Sequence, residues 1–248
     1  MATDDGIDEQ YDKEGLDTLK VIADTHRFNN WMYQAIKPFL KGNILEIGSG
    51  IGNITNHVVK DKFSVTASDL RKNYCALLKE RFAGNQYLTE VRVIDIVHPE
   101  FETEYSDLMG KFDCIFALNI VEHVFEDKAA LVNFSKLLRQ NGNLIILVPA
   151  YHALYNRFDK ELKHYRRYTK SRLENLFSAA GLTISGSRYF NFMGIFGWWF
   201  SGKILNKKTI PKSQMKLFDR LVPIFKVVDK IVKTKIGLSV ITFGKKSN

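Results

Sequence analysis

The chain of 248 residues has two cysteines, five prolines and no long apolar run. Two cysteines exclude a disulfide scaffold. Cys75 and Cys114 both sit in apolar stretches, which predicts buried free thiols in a reducing compartment. No stretch reaches the ~18 consecutive uncharged apolar residues that a spanning helix needs. There is no internal repeat and no low-complexity linker. The opening MATDDGIDEQYDKEG is acidic and polar, unlike a signal peptide, so the expected location is the cytoplasm. The stretch 1–15 is expected to be mobile and non-catalytic. What is present is apolar side chain, 45% of residues against 25% charged, enough for a large core and too much for a disordered chain.

The net charge of +9 hides an asymmetry. Residues 1–150 carry 16 Lys and Arg against 22 Asp and Glu, a balance of −6. Residues 151–248 carry 20 against 5, a balance of +15. A basic half of this kind faces something anionic (phosphate, nucleic acid or a membrane surface) or serves solubility.

From residue 43 to 150 short apolar runs alternate with helix-like segments. The runs are Asn43–Ile47, Ser64–Ser68, Val91–Ile96, Phe112–Leu118 and Leu144–Val148. Runs that are apolar throughout suit parallel strands buried on both faces. Asp127–Gln140 reads as a helix with Asp127 as N-cap and Asn141-Gly142 as stop. Residues 16–40 read as helix before the first strand. Thr169–Ala180 reads as helix capped by Thr169 and stopped by Gly181. Such alternation predicts βαβ units and a doubly wound parallel sheet. Leu182–Arg188 and Gly237–Phe243 read as two later strands. About fifty residues rich in Phe, Trp and Lys lie between them, too many for an ordinary connection and therefore an insertion.

The strongest local signal is LEIGSGIGN, Leu45 to Asn53. A strand enters a glycine turn where a ligand can lie against bare backbone. The dinucleotide fingerprint G-x-G-x-x-G would need glycine at Asn53. The spacing here is G-x-G-x-G, and Glu46 stands two residues before the first glycine. A carboxylate there suits a cationic amino-acid head group and repels a pyrophosphate, which speaks against a nicotinamide-dependent oxidoreductase. Asp69 ends the second strand, where a carboxylate can accept both ribose hydroxyls. Asp95 falls at the end of the third, within reach of an adenine amino group.

With FDCIFALNIVEHV, these residues resemble class I S-adenosylmethionine-dependent methyltransferases over roughly residues 43–150. The resemblance implies a seven-stranded sheet, mostly parallel, whose last two strands form an antiparallel hairpin. It implies three parts in one continuous domain: a helical cap over 1–42, the cofactor core over 43–150, and an acceptor segment with the insertion and last strands over 151–248. It implies that Gly48, Ser49, Gly50 and Gly52, with Glu46 before them, wrap the methionine portion of the cofactor. Asp69 with Leu70 would hold the ribose, Asp95 with Ile96 the adenine, and Asn119 would sit beside the methionine. The product would be S-adenosylhomocysteine. No metal is expected.

In this fold the segment after the fifth strand lies over the cofactor's methyl end. Here it contains His164-Tyr165-Arg166-Arg167-Tyr168. Imidazole is the side chain suited to take a proton near neutral pH, so His164 is the first candidate base, with His152 and Tyr168 beside it and His123 read as structural. Tyr155, Arg166, Arg167, Trp198 and Trp199 are the candidates for acceptor binding, the arginines for an anionic group. The alternative is a solvated basic face.

Tyr189–Gly202 are 14 uncharged residues, too few to span a bilayer. Residues 216–233 read as a basic amphipathic helix that Pro223 should kink or restart. The two together suit a membrane interface, a lid over an apolar acceptor, or ordinary packing on the sheet. The tail, with GIFGWW and FDRLVPIFKVVDK, resembles a bacterial subgroup found with glycosyltransferases and lipid-pathway enzymes. The expected function is methyl transfer to a small or lipid-linked acceptor, at oxygen. The alternatives are an RNA methyltransferase drawing on the basic tail and a non-catalytic membrane-peripheral scaffold. Against RNA, no recognised RNA-binding module is present.

Overall fold

A computed structural model describes residues 9–207 and 211–247. Of the acidic opening, residues 1–8 lie outside the described residues, while α1 begins at Glu9.

The strands are β1 (Ile44–Ile47), β2 (Val65–Asp69), β3 (Leu88–Val93), β4 (Phe112–Leu118), β5 (Leu138–Pro149), β6 (Leu182–Phe190) and β7 (Ser239–Lys246). They form one seven-stranded sheet in the order β3-β2-β1-β4-β5-β7-β6. The first five pair in parallel, and β7 runs antiparallel between β5 and β6. This is the doubly wound sheet with a C-terminal hairpin that the sequence predicts.

The continuous apolar runs are explained by two cores, one on each face. Leu45, Ile115, Ala117, Leu144, Ile146 and Val148 face one side, among Leu131, Phe134 and Phe177. Their neighbours Ile44, Cys114, Phe116, Ile145 and Leu147 face the other, among Tyr33, Ile36, Val58 and Phe225. Alternate residues of each strand therefore both find apolar partners. Cys75 and Cys114 are buried and free.

The helices are α1 (Glu9–Ala23), α2 (His26–Ile36), α3 (Thr55–Lys60), α4 (Lys72–Arg81), α5 (Phe101–Glu104), α6 (Asp127–Leu137), α7 (Arg157–Glu161), α8 (Lys170–Ala179), α9 (Gly194–Trp199) and α10 (Lys212–Ile231). The predicted N-terminal helix is two helices, broken at Thr25, whose buried hydroxyl donates to the Ile22 carbonyl at 2.6 Å. α6 ends three residues earlier than predicted, and β5 starts at Leu138, which pairs with Phe112. Sheet pairing there overrides the helical pattern. Asp127 is the first residue of α6 and not its cap. Thr169 caps α8 as predicted, accepting from Arg172 N–H at 3.2 Å. β3 ends at Val93, so Asp95 stands two residues beyond the strand.

The insertion is present between β6 and β7. α10 runs through Pro223 as one helix and does not restart there. Proline has no N–H to offer the carbonyl four residues back, that of Asp219. The Arg27 guanidinium donates to the next carbonyl along, that of Arg220, at 3.4 Å. Asp229 ties α10 to the end of β6. It is 5% exposed and accepts from the N–H groups of Asn191 at 2.7 Å and Phe192 at 2.8 Å. Replacing Asp229 with Ala leaves both donors without their charged partner, so the expected loss is about 2–4 kcal/mol of folding stability. Asp229→Asn should lose less. Urea midpoints of the two variants measure this.

Candidate active site

The strand order reverses between β1 and β4, and open α/β sheets bind ligands at the carboxyl ends of strands beside such a switch point. The loop after β1 is the glycine loop. Gly48, Gly50 and Gly52 have φ of +74°, +55° and +82°, a region closed to most side chains. Their surroundings are equally demanding. A Cβ on Gly48 would lie 2.0 Å from Ile120 Cδ1, which comes from the loop after β4. A Cβ on Gly52 would lie 2.5 Å from Phe82. Gly50 faces Leu19, and Asn53 donates to the Leu19 carbonyl at 3.2 Å, so α1 lies against the loop.

Two acids stand in this cradle. Glu46 is buried and accepts from Thr55 Oγ1. Burial pushes its carboxyl up to about 7, the Thr55 and Ser49 hydrogen bonds oppose this, and the Asp69 charge adds to it. None of those groups is cationic. Asp69 accepts from Gly50 N–H at 2.9 Å and Arg71 N–H at 3.0 Å. Burial raises its pKa against those bonds. An acid pair without a cationic side chain on Glu46, beside a glycine loop, fits a ligand with positive charge and hydroxyls. It does not fit a pyrophosphate.

The remaining cofactor candidates divide. Leu70, 54% exposed, is uncovered beside Asp69. Ser49 is turned toward β2, its Oγ accepting from Ser68 N–H at 3.1 Å, so its side chain shapes the loop. Asp95 is half-buried and accepts from Val97 N–H at 3.0 Å. Ile96 points into the core, and its carbonyl accepts from Asn133. Asn119 follows β4 with φ +57° and its N–H on the Leu147 carbonyl.

The other half of the site follows β4 and β5. Tyr151 has φ +59°, a rare conformation for a bulky residue, and stacks on Tyr189 at 4.9 Å. α7 starts with a capping box between Asn156 and Asp159. Asp159 Oδ1 then takes His164 Nδ1 and Arg167 Nε, each at 2.8 Å. Burial works against the Asp159 charge, but His164 and Arg167 outweigh it and hold the carboxyl below its ordinary range. An ionised Asp159 fixes Nδ1 as the donor and leaves the lone pair at Nε2 of His164.

The arginines expected to meet an anionic acceptor are engaged inside the protein. Arg167 is bonded to Asp159 and to the Ala150 carbonyl at 3.0 Å, with the Trp198 ring 4.7 Å away. Arg166 pairs with Asp127 at 2.8 Å. Tyr168 also departs from its expected role. It is fully buried, donates to Asp127 at 3.0 Å, and is held protonated by burial and that carboxylate. His152 is exposed beside Tyr155. Tyr155 donates to the His164 carbonyl at 2.8 Å, which supports the backbone of that residue. Trp198 packs inward on Phe158, while Trp199 is 42% exposed.

Two residues were missed by sequence reasoning. Asp159 could have been found from the N-x-x-D spacing after Asn156, which is the capping-box signature. Glu122, inside the NIVEH stretch, has no exposed surface, and neither carboxylate oxygen has a hydrogen-bond partner among the described residues. Burial pushes it up to about 8. Beside it, burial and the neighbouring His164 push His123 down to about 3.

The glycine cradle, the acids at strand ends and the sheet order define the class I fold that binds S-adenosylmethionine. Residues 45–144 match the family described as Methyltransferase domain. Part of the chain is 33% identical over 106 residues to the non-reducing polyketide synthase pkbA of Emericella nidulans, covering 40% of this chain and 4% of that synthase. The chain thus spans only a few per cent of such curated relatives. Among solved structures, a chain of the Haloferax volcanii complex between the Trm112 methyltransferase activator and a putative methyltransferase superposes with a TM-score of 0.64. It is 13% identical, with 97% of each chain covered. Haemonchus contortus phosphoethanolamine N-methyltransferase 2, in complex with S-adenosylmethionine, gives 0.58 at 17% identity, covering 88% of this chain and 52% of that one. At these identities the likeness is one of fold. Residues 45–144 of this chain are thus similar to a methyltransferase domain.

Glu122 has a testable consequence. Its pKa is raised in the folded state, so the folded protein binds a proton there that the unfolded chain releases above about pH 4.5. Stability from this group is full below that pH and falls as pH rises toward 8. Glu122→Gln should therefore raise the Tm more at pH 8 than at pH 5, measured by thermal unfolding in a chelating buffer.

Proposed function

We propose that the protein is an S-adenosylmethionine-dependent methyltransferase whose acceptor is a small or lipid-linked molecule, methylated at oxygen. The observation that carries this reading is the packing of Ile120 over Gly48. It sets the loop bearing Glu122 and His123 against the loop that cradles the cofactor.

S-adenosylmethionine, when bound, supplies an electrophilic methyl group on a positive sulfur. The loop of Gly48, Gly50 and Gly52 would wrap the methionine portion, Glu46 would offer its carboxyl to the ammonium, and Asp69 its carboxylate to the ribose. Leu70 stands beside Asp69 at the ribose, and Asp95 at the adenine end. A hydroxyl acceptor must lose its proton as the new C–O bond forms and the C–S bond breaks. The lone pair of His164, held by Asp159, is what the site offers to ease that loss. Orientation of the acceptor in line contributes up to ~7–11 kcal/mol of barrier lowering.

The membrane-surface part of the reading has its own support. Leu217, Ile224, Val227 and Ile231 lie on one face of α10, and each is more than half exposed. Lys216, Arg220 and Lys230 are exposed around them. The opposite face, with Val222 and Phe225, is buried against the core that includes α2. An apolar stripe edged with cations suits an interface with anionic lipid, and free buried thiols accord with the cytoplasmic side.

Calorimetric titration with S-adenosylhomocysteine tests the first part. Micromolar binding is expected, weakened at least tenfold in Asp69→Ala while NAD gives no heat. No binding by the parent protein would remove the methyltransferase reading. For the second part, sedimentation with phosphatidylglycerol vesicles should capture the protein, and Leu217→Ser with Ile224→Ser should cut capture several-fold. Unchanged capture would leave a free small molecule as acceptor.

A further inference from the structure

Glu122 is the buried acid that neither the fold nor the reading above uses. A carboxyl with no exposed surface and no hydrogen-bond partner is costly to keep. Arg167, the cation whose charge acts on it, is bonded to Asp159 and the Ala150 carbonyl instead. What Glu122 does meet is a pair of imidazoles. One of its oxygens, one ring nitrogen of His123 and one of His164 all lie within 4.8 Å of one another. The two rings stand edge to face, with centroids 4.6 Å apart.

Both imidazoles also meet a polar group outside the trio. His164 Nδ1 is fixed on Asp159 at 2.8 Å. The Leu162 backbone acts on the His123 ring. Ligating histidines are supported in this way, one nitrogen donating to a carboxylate or carbonyl while the other keeps its lone pair for the metal.

We propose that Glu122, His123 and His164 form a binding site for a divalent first-row transition ion, zinc foremost. Two imidazoles and one carboxylate are a ligand set of that class, and three protein ligands leave a coordination position open. Bonds of about 2.0–2.1 Å set the ligand atoms of one ion inside the 4.8 Å that bounds these three. The sequence suggested no metal because Glu122 and His123 are adjacent in the chain while His164 arrives from beyond β5. The ion's role, though not its binding, rests on the methyltransferase reading. With the open position taken by the acceptor hydroxyl, the ion would acidify that hydroxyl and its proton would pass to water; His164, which offers its lone pair to that proton in the metal-free site, would instead hold the ion.

The test uses the full chain stripped with a chelator and then titrated with Zn²⁺ by calorimetry and with Co²⁺ by visible absorption. One ion per chain is expected, with the intense d–d bands of a four-coordinate Co²⁺ site. Glu122→Gln and His123→Ala should each weaken Zn²⁺ binding by at least 10–100-fold, and Asp159→Asn by about tenfold through His164. His26→Ala, an exposed histidine on α2, should change nothing. Circular dichroism checks that each variant is folded, and His123→Ala carries the test if Glu122→Gln is not. Absence of Zn²⁺ binding, or binding equal in parent and folded variants, overturns the proposal. S-adenosylhomocysteine titrated into the same preparation separates the two readings. Its binding without Zn²⁺ binding sinks the metal site alone, and Zn²⁺ binding without it sinks the methyltransferase reading alone.

Discussion

Asp159 has no exposed surface and accepts from the Asn156 N–H, His164 Nδ1 and Arg167 Nε, so the chain from 150 to 168 folds around one carboxylate. Through Asn156 it starts α7. Through His164 it orients the ring at the acceptor side. Through Arg167 it reaches the Ala150 carbonyl just past β5 and, by the Trp198 ring, the insertion. Removing one partner from a buried ion pair strands the other and costs about 3–5 kcal/mol. Asp159 therefore couples three elements that share no secondary structure.

The cofactor half was legible in the sequence because its requirements are local. Gly48, Gly50 and Gly52 need positive φ, and the acids that serve the loop fall at or just beyond the ends of apolar runs. Strand positions followed from alternate residues feeding two cores. The boundary between α6 and β5 was not legible, because Leu137 and Leu138 extend the helical pattern and only pairing with Phe112 ends it. The acceptor half was harder for a different reason. A run such as His164 to Tyr168 announces charge and rings but not their partners, and Arg166 and Tyr168 find Asp127 some forty residues away. The acids that matter there, Asp127 and Asp159, each also serve a helix start and look like caps in a linear reading.

The insertion resolves into two surfaces that composition could not separate. α9 and the turn after it close inward: Trp198 lies on Phe158 and Arg167, and a Cβ on Gly202 would meet Asn156 at 2.4 Å. α10 is packed on one side and carries its apolar stripe on the other. Lid and foot are therefore neighbouring faces of one substructure, which suits an acceptor drawn from a surface and passed to the sheet.

The position of β7 bears on how the chain is made. β7 fills the place between β5 and β6, yet it is the last strand synthesised. When β6 leaves the ribosome, its partner β7 is still 49 residues from its start at Ser239. At ~5–20 residues per second that is a wait of about 2–10 seconds. Throughout it, β5 presents an unpaired apolar edge, the kind that recruits foreign strands. Nascent chains of this protein should depend on chaperones most during that interval, and substitutions that slow translation between 190 and 239 should lower its yield without altering the finished molecule.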